Sequence, residues 1–136
     1  MLTDAQRSFL KELQEELNTQ DHQLQADPRY WVVRETFYEP CWEEQADDYE
    51  VVDSDGEAIG RISRNLEIDG HDCVPVKKVS RNAEGTFFLT LRDAQEHIRA
   101  NYYHYRNPHT YAMTAFRSPS FEKLLGILQT VDWDEV

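Results

Sequence analysis

The side chains best suited to chemistry lie between His97 and Arg117, "HIRANYYHYRNPHTYAMTAFR". This block holds five of the thirteen Tyr and Phe residues, three of the five His, three Arg and no Asp or Glu, in a chain of net charge −12. Tyr and His faces stack on bases, and Arg guanidinium groups fork around phosphate or carboxylate. Arg99, Tyr103, His104, Arg106, His109 and Arg117 are therefore the candidate ligand-binding residues, for a nucleotide-like anion. The competing reading is structural. Ile98, Tyr102, Tyr105, Tyr111 and Phe116 would then be core residues, with His97 and His104 as satisfied polar neighbours. His97 or His104 could also serve a hydrolase or nuclease as general acid/base. A metal held by His97, His104 and His109 matches no ligand signature and has no acid nearby to complete it, so no metal and no cofactor is expected.

The second constellation is acidic. Glu35 to Glu57 carries ten carboxylates and no Lys or Arg, whereas Arg61 to Arg117 carries nine basic residues against six acidic ones. A dense row of carboxylates can imitate a phosphodiester backbone and attract the basic groove of a nucleic-acid-binding protein. Glu43, Glu44, Asp47, Asp48, Glu50, Asp53 and Asp55 are the candidate partner-binding residues; the plain alternative is a solvated loop and hairpin. "DSDG" hints at calcium, but Val51 stands where the loop pattern needs another ligand, which argues against it.

Enzymatic signatures are missing. Cys41 and Cys73 form neither a CxxC pair nor a zinc cluster, Ser118 reads as a helix cap, and five scattered glycines build no phosphate loop. The expectation is no enzyme and two free thiols in a reducing compartment, the cytoplasm. The acidic start lacks the basic and apolar regions of a signal peptide, and no run of eighteen apolar residues occurs, so neither a membrane nor direct nucleic-acid binding is expected at this charge.

Several elements must position these groups. Residues 3–18 read as a helix, with Thr3 and Gln6 as a capping box and Phe9, Leu10, Leu13 and Leu17 at helical spacing. "TQDHQLQADP" is a connection. "RYWVVRETFY", "YEVV" and "EAIGRI" read as strands, the last two joined by a hairpin at Asp55-Gly56, and "EPCWEEQADD" as an acidic loop. "VPVKKV" reads as a strand broken or edged by Pro75, and "NAEG" as a turn.

Thr90 and Asp93 begin a helix through about residue 105 with Leu91, Ala94, Ile98 and Tyr102 inward. "TYAMTAF" is a short strand. Ser118-Pro119 opens a last helix with Phe121, Leu124, Leu125, Leu128 and Val131 as its apolar face, and "DWDEV" is an exposed tail. The sum is a single α+β domain spanning 1–136: an N-terminal helix, a small mostly antiparallel sheet and two C-terminal helices.

"LTDAQRSFLKELQEELNTQDHQLQADPRYWVV" and "FFLTLRDAQEHIRANYYHYRNPHTYAMTAFRSPSFEKLLGIL" resemble a family of small uncharacterised accessory proteins of tailed phages and prophages. The resemblance covers the two ends and not the acidic middle, and brings no catalytic residue with it. It implies a viral protein engaged in host defence evasion. The leading expectation is a non-enzymatic inhibitor, of anti-CRISPR or anti-restriction type, that binds a host defence protein through its acidic surface. The alternative is a sponge, possibly a homo-oligomer, that sequesters a nucleotide-like signal in the basic aromatic segment. A phage structural or replication accessory factor is the plainest reading.

Overall fold

A computed structural model describes residues 1–20, 27–63 and 71–136. The fold is α+β: helix α1 (Asp4–Thr19), strands β1 (Arg29–Pro40), β2 (Asp48–Val52), β3 (Ala58–Ile62) and β4 (Asp72–Asn82), helix α2 (Leu91–Asn101), strand β5 (His109–Thr114) and helix α3 (Pro119–Thr130). The strands form one sheet in the order β3-β2-β4-β1-β5, with β1–β5, β2–β3 and β2–β4 antiparallel. Two compact units are present: residues 1–35 with 82–136, and residues 36–81. The connection read at 19–28 falls largely outside the described residues, as does the stretch 64–70.

In the first unit α1 starts at the capping box read from its sequence. Thr3 N donates to Gln6 Oε1 at 2.9 Å and Gln6 N to Thr3 Oγ1 at 3.1 Å, satisfying two of the helix's orphan donors. Leu13 and Leu17 of α1 pack on Leu125 and Leu128 of α3, with Leu10, Leu89, Phe121 and Trp133 around them. The buried stripes are narrower than the spacing suggests, since Phe9 and Leu124 are exposed. Each lies one residue from the inward line, so a turn of about 100° carries it towards solvent.

The tail is not free. Trp133 packs against this core, its carbonyl accepts from Arg7 Nη1, and Gln14 Nε2 donates to Val131 O at 2.7 Å. Asp134 pairs with Lys11 Nζ at 2.6 Å. That hydrogen bond, and then the lysine's charge, holds the Asp134 carboxyl below the usual carboxylate value of 3.8. A depressed folded value means that the contact stabilises the fold above the unfolded value and loses that contribution as pH falls through the folded one. An NMR titration should find Asp134 titrating below the usual aspartate value, and Lys11→Met should return it to that value.

β1 is bonded on both edges here. Trp31 exchanges 2.8 Å bonds with Phe88 in both directions, Val33 accepts from Ala83 N, and β5 lies along the other edge in the register Val32↔Tyr111 and Arg34↔His109. Trp31, Val32 and Val33 are all buried, so this strand is covered on both faces.

In the second unit the hairpin forms where Asp55-Gly56 places it. Asp53 Oδ1 accepts from Asp55 N and Glu57 N, both at 2.9 Å, and Gly56 takes φ +82°, a region that favours glycine. Phe37, Val51 and Val76 are buried. Pro75 does not break its strand. Its carbonyl accepts from Cys41 N just past the end of β1, so its ring nitrogen also faces the place where β1 stops, and β2 loses no donor.

Candidate functional site

The 97–117 segment begins on α2. Thr90 Oγ1 caps that helix by accepting from Asp93 N at 3.2 Å, and Ala94 is fully buried. The helix ends at Asn101 rather than running to 105, and Tyr102–His104 form a 3-10 turn. Asn101 has φ −127° and ψ 22°, outside the helical region, and its Nδ2 donates to His97 O at 3.0 Å, adding a side-chain bond to the last helical turn. Four successive aromatic rings with weak helix propensity follow it.

This early end decides where the rings go. Tyr102 falls off the buried stripe and is exposed; Tyr111 and Phe116 are exposed too, so the core reading fails for these three. It holds better for His97. The His97 ring packs 5.1 Å from Phe88, and its Nε2 lies 2.7 Å from Tyr105 Oη. A histidine engaged in this way is a polar brace between α2 and the following turn.

All six candidate ligand residues are exposed. Tyr103 and His104 stack with centroids 4.4 Å apart. Arg106 N donates to Glu35 Oε1 at 3.1 Å, so the block is free of acid in sequence but not in space. Asn107, at φ 46°, turns the chain into Pro108 and so to His109 at the start of β5. Arg117 follows the far end of β5, so the length of that strand, at about 3.3 Å per residue, separates it from Arg106 and from His109 at the strand's start. Arg99 stays on α2. The structure thus joins Tyr103 to His104 and does not gather the six into one place. Among the described residues no group of three His, Cys, Asp or Glu could hold a metal. A cavity of about 480 Å³ in this unit is lined by none of the six; Leu17, Gln20, Leu125 and the buried Arg29, held by Asp27 at 3.0 Å, are part of its wall.

The seven acidic candidates divide by what their carboxylates already do. Asp47 Oδ2 accepts from Lys78 N at 2.9 Å, and Asp53 closes the hairpin. Asp48 and Glu50 are half-buried on one face of β2, and Glu50 sits opposite Arg61 in register. Glu43, Glu44 and Asp55 are exposed, the first two in a 3-10 turn at Glu43–Gln45.

Two residues escaped the reading of the sequence. Trp42, immediately before the acidic turn, is 74% exposed, and Pro40, Cys41, Trp42, Gln45 and Lys77 line a groove of about 450 Å³. A tryptophan inside a run of polar residues was the available signal. Arg34 lies on β1 with its guanidinium 4.1 Å from the Tyr111 ring centre; an arginine in an apolar strand was its signal. Neither Cys41 nor Cys73 is joined in a disulfide. No described helix is long and apolar enough to cross a membrane. No protein-family model matches the chain, and neither the curated proteins nor the solved structures contain a match to it.

Proposed function

We propose that this chain is a non-enzymatic binding protein of a phage or prophage that occupies the basic nucleic-acid surface of a host defence protein, of the CRISPR-effector or restriction type. The observation that carries this reading is the turn at Trp42-Glu43-Glu44. It presents a bare indole beside two solvent-exposed carboxylates.

The surrounding charge supports it. Residues 36–81 carry twelve carboxylates against five Lys and Arg, a net charge of −7 in about a third of the chain. Such a surface steers encounter with a cationic groove, and a partly apolar anchor then limits escape. Trp and Arg are the residues most enriched where binding energy concentrates. An acidic surface made only of solvated carboxylates would not need an exposed indole in its midst.

Capture from the lysate of a defence-carrying host tests the proposal, combined with phage plating on that host with and without the protein. The expected result is recovery of a nucleic-acid-binding defence component and a rise in plating efficiency. Recovery of none, with plating unchanged, overturns it.

A further inference from the structure

We propose that Arg34, His109 and Tyr111 form a phosphoryl-anion site on one face of the β1–β5 pair, independent of the acidic turn. In this antiparallel register Arg34 stands directly opposite His109, and Val32 opposite Tyr111. Directly opposed residues share a face, and diagonal neighbours come within reach of long side chains. Arg34, His109 and Tyr111 therefore project to the same side.

Arg34 is half-buried and has no acid. Its Nε is buried without a hydrogen-bond partner, and among the described residues its one specific contact is the ring of Tyr111 at 4.1 Å. Removing a guanidinium from water without a counter-charge is costly, and the ring face returns only part of that cost. The residue across the strand makes the deficit larger, because His109 contributes either no charge or a like one. Glu35, the adjacent acid, points to the opposite face by strand alternation, and its carboxylate already accepts from Arg106 N.

What the face lacks is an anion. The guanidinium, 4.1 Å from the Tyr111 ring centre, has N–H groups that can serve two oxygens in parallel, and His109 can supply a second donor from across the strand. Two cation-capable groups opposite each other on one face match a dianion better than a monoanion, which selects a phosphoryl group over a carboxylate. This site uses only His109 of the six residues that the sequence pointed to. It exchanges a long basic segment for a pair of strands, whose rigidity fixes donor spacing better than a loop does.

Isothermal titration of the full chain at constant ionic strength tests the site, using inorganic phosphate, 5′-AMP and acetate as probes. One phosphate should bind, with acetate at least tenfold weaker. Arg34→Met, which keeps the stem over Tyr111 and removes the charge, should weaken phosphate tenfold or more, whereas Arg99→Gln and Arg117→Gln should leave it unchanged. Tighter binding of AMP than of phosphate assigns the site to a nucleotide, and equal binding to phosphate itself; both support it. Should Arg34→Met fold poorly, the exposed His109→Gln variant provides the same comparison. A titration of the Arg34 guanidinium resonances, which phosphate should shift saturably and acetate only at far higher concentration, reads the contact directly. No phosphate binding, acetate as tight as phosphate, or unaltered affinity in folded Arg34→Met or His109→Gln overturns the proposal.

Discussion

Replacing Trp31 with Ala should bring the fold close to the edge of stability. Trp31 is 3% exposed, and its backbone exchanges two bonds with Phe88. Its indole Nε1 donates to Gln20 Oε1 at 3.2 Å, and the same oxygen accepts from Leu91 N at 3.1 Å. Gln20 Oε1 therefore ties the end of α1, the start of β1 and the start of α2 together, and the indole is the largest of the groups that hold it. Truncating a buried aromatic to Ala costs about 3–5 kcal/mol, because the lost transfer energy adds to an incompletely collapsed cavity. Against a total of about 5–15 kcal/mol for an ordinary domain, that is a large fraction. Trp31→Phe should cost less than Trp31→Ala, since it keeps most of the volume and loses the hydrogen bond, a term of about 1 kcal/mol. Urea denaturation followed by circular dichroism measures both. A loss below about 1 kcal/mol for Trp31→Ala would refute the role given to this side chain.

The elements that organise Trp31 were legible because local chemistry determines them. Thr3 with Gln6, Thr90 with Asp93 and Asp55-Gly56 each fix a helix start or a turn through contacts three or four residues apart, and the structure has all three. Side-chain burial was less legible, because it depends on partners distant in sequence. Tyr102 occupies an inward position only on a helix that continues past Asn101, and α2 ends there. Tyr111 alternates correctly for a strand, yet its exposed face is taken by Arg34 from the neighbouring strand, a contact set by register. The tail looked free because its partners, Arg7, Lys11 and Gln14, lie more than a hundred residues away. For the candidate sites the lesson is similar. Composition could not distinguish Asp47 and Asp53, whose carboxylates hold the backbone, from Glu43 and Glu44, which face solvent.

That distinction sets the expected outcome at the acidic turn. If the turn is the docking surface, Trp42→Ala should weaken a captured complex by about 2 kcal/mol or more, roughly thirtyfold in Kd, since an aromatic anchor buried at the centre of an interface dominates its energy. The free protein should barely notice, because a side chain 74% exposed contributes little packing, and surface changes usually stay within about 0.5 kcal/mol. Glu43→Lys with Glu44→Lys should act differently. Peripheral charges govern encounter more than residence, so the double reversal should slow association and flatten its dependence on salt. Asp53→Asn is the internal control: its carboxylate closes the hairpin, so its effect should appear as lower stability of the free chain. Surface plasmon resonance at two salt concentrations, paired with thermal melts, separates these results. Full-strength binding by Trp42→Ala would remove the indole from the interface, and salt-independent association of the double reversal would remove the charge, leaving the turn as an ordinary solvated loop.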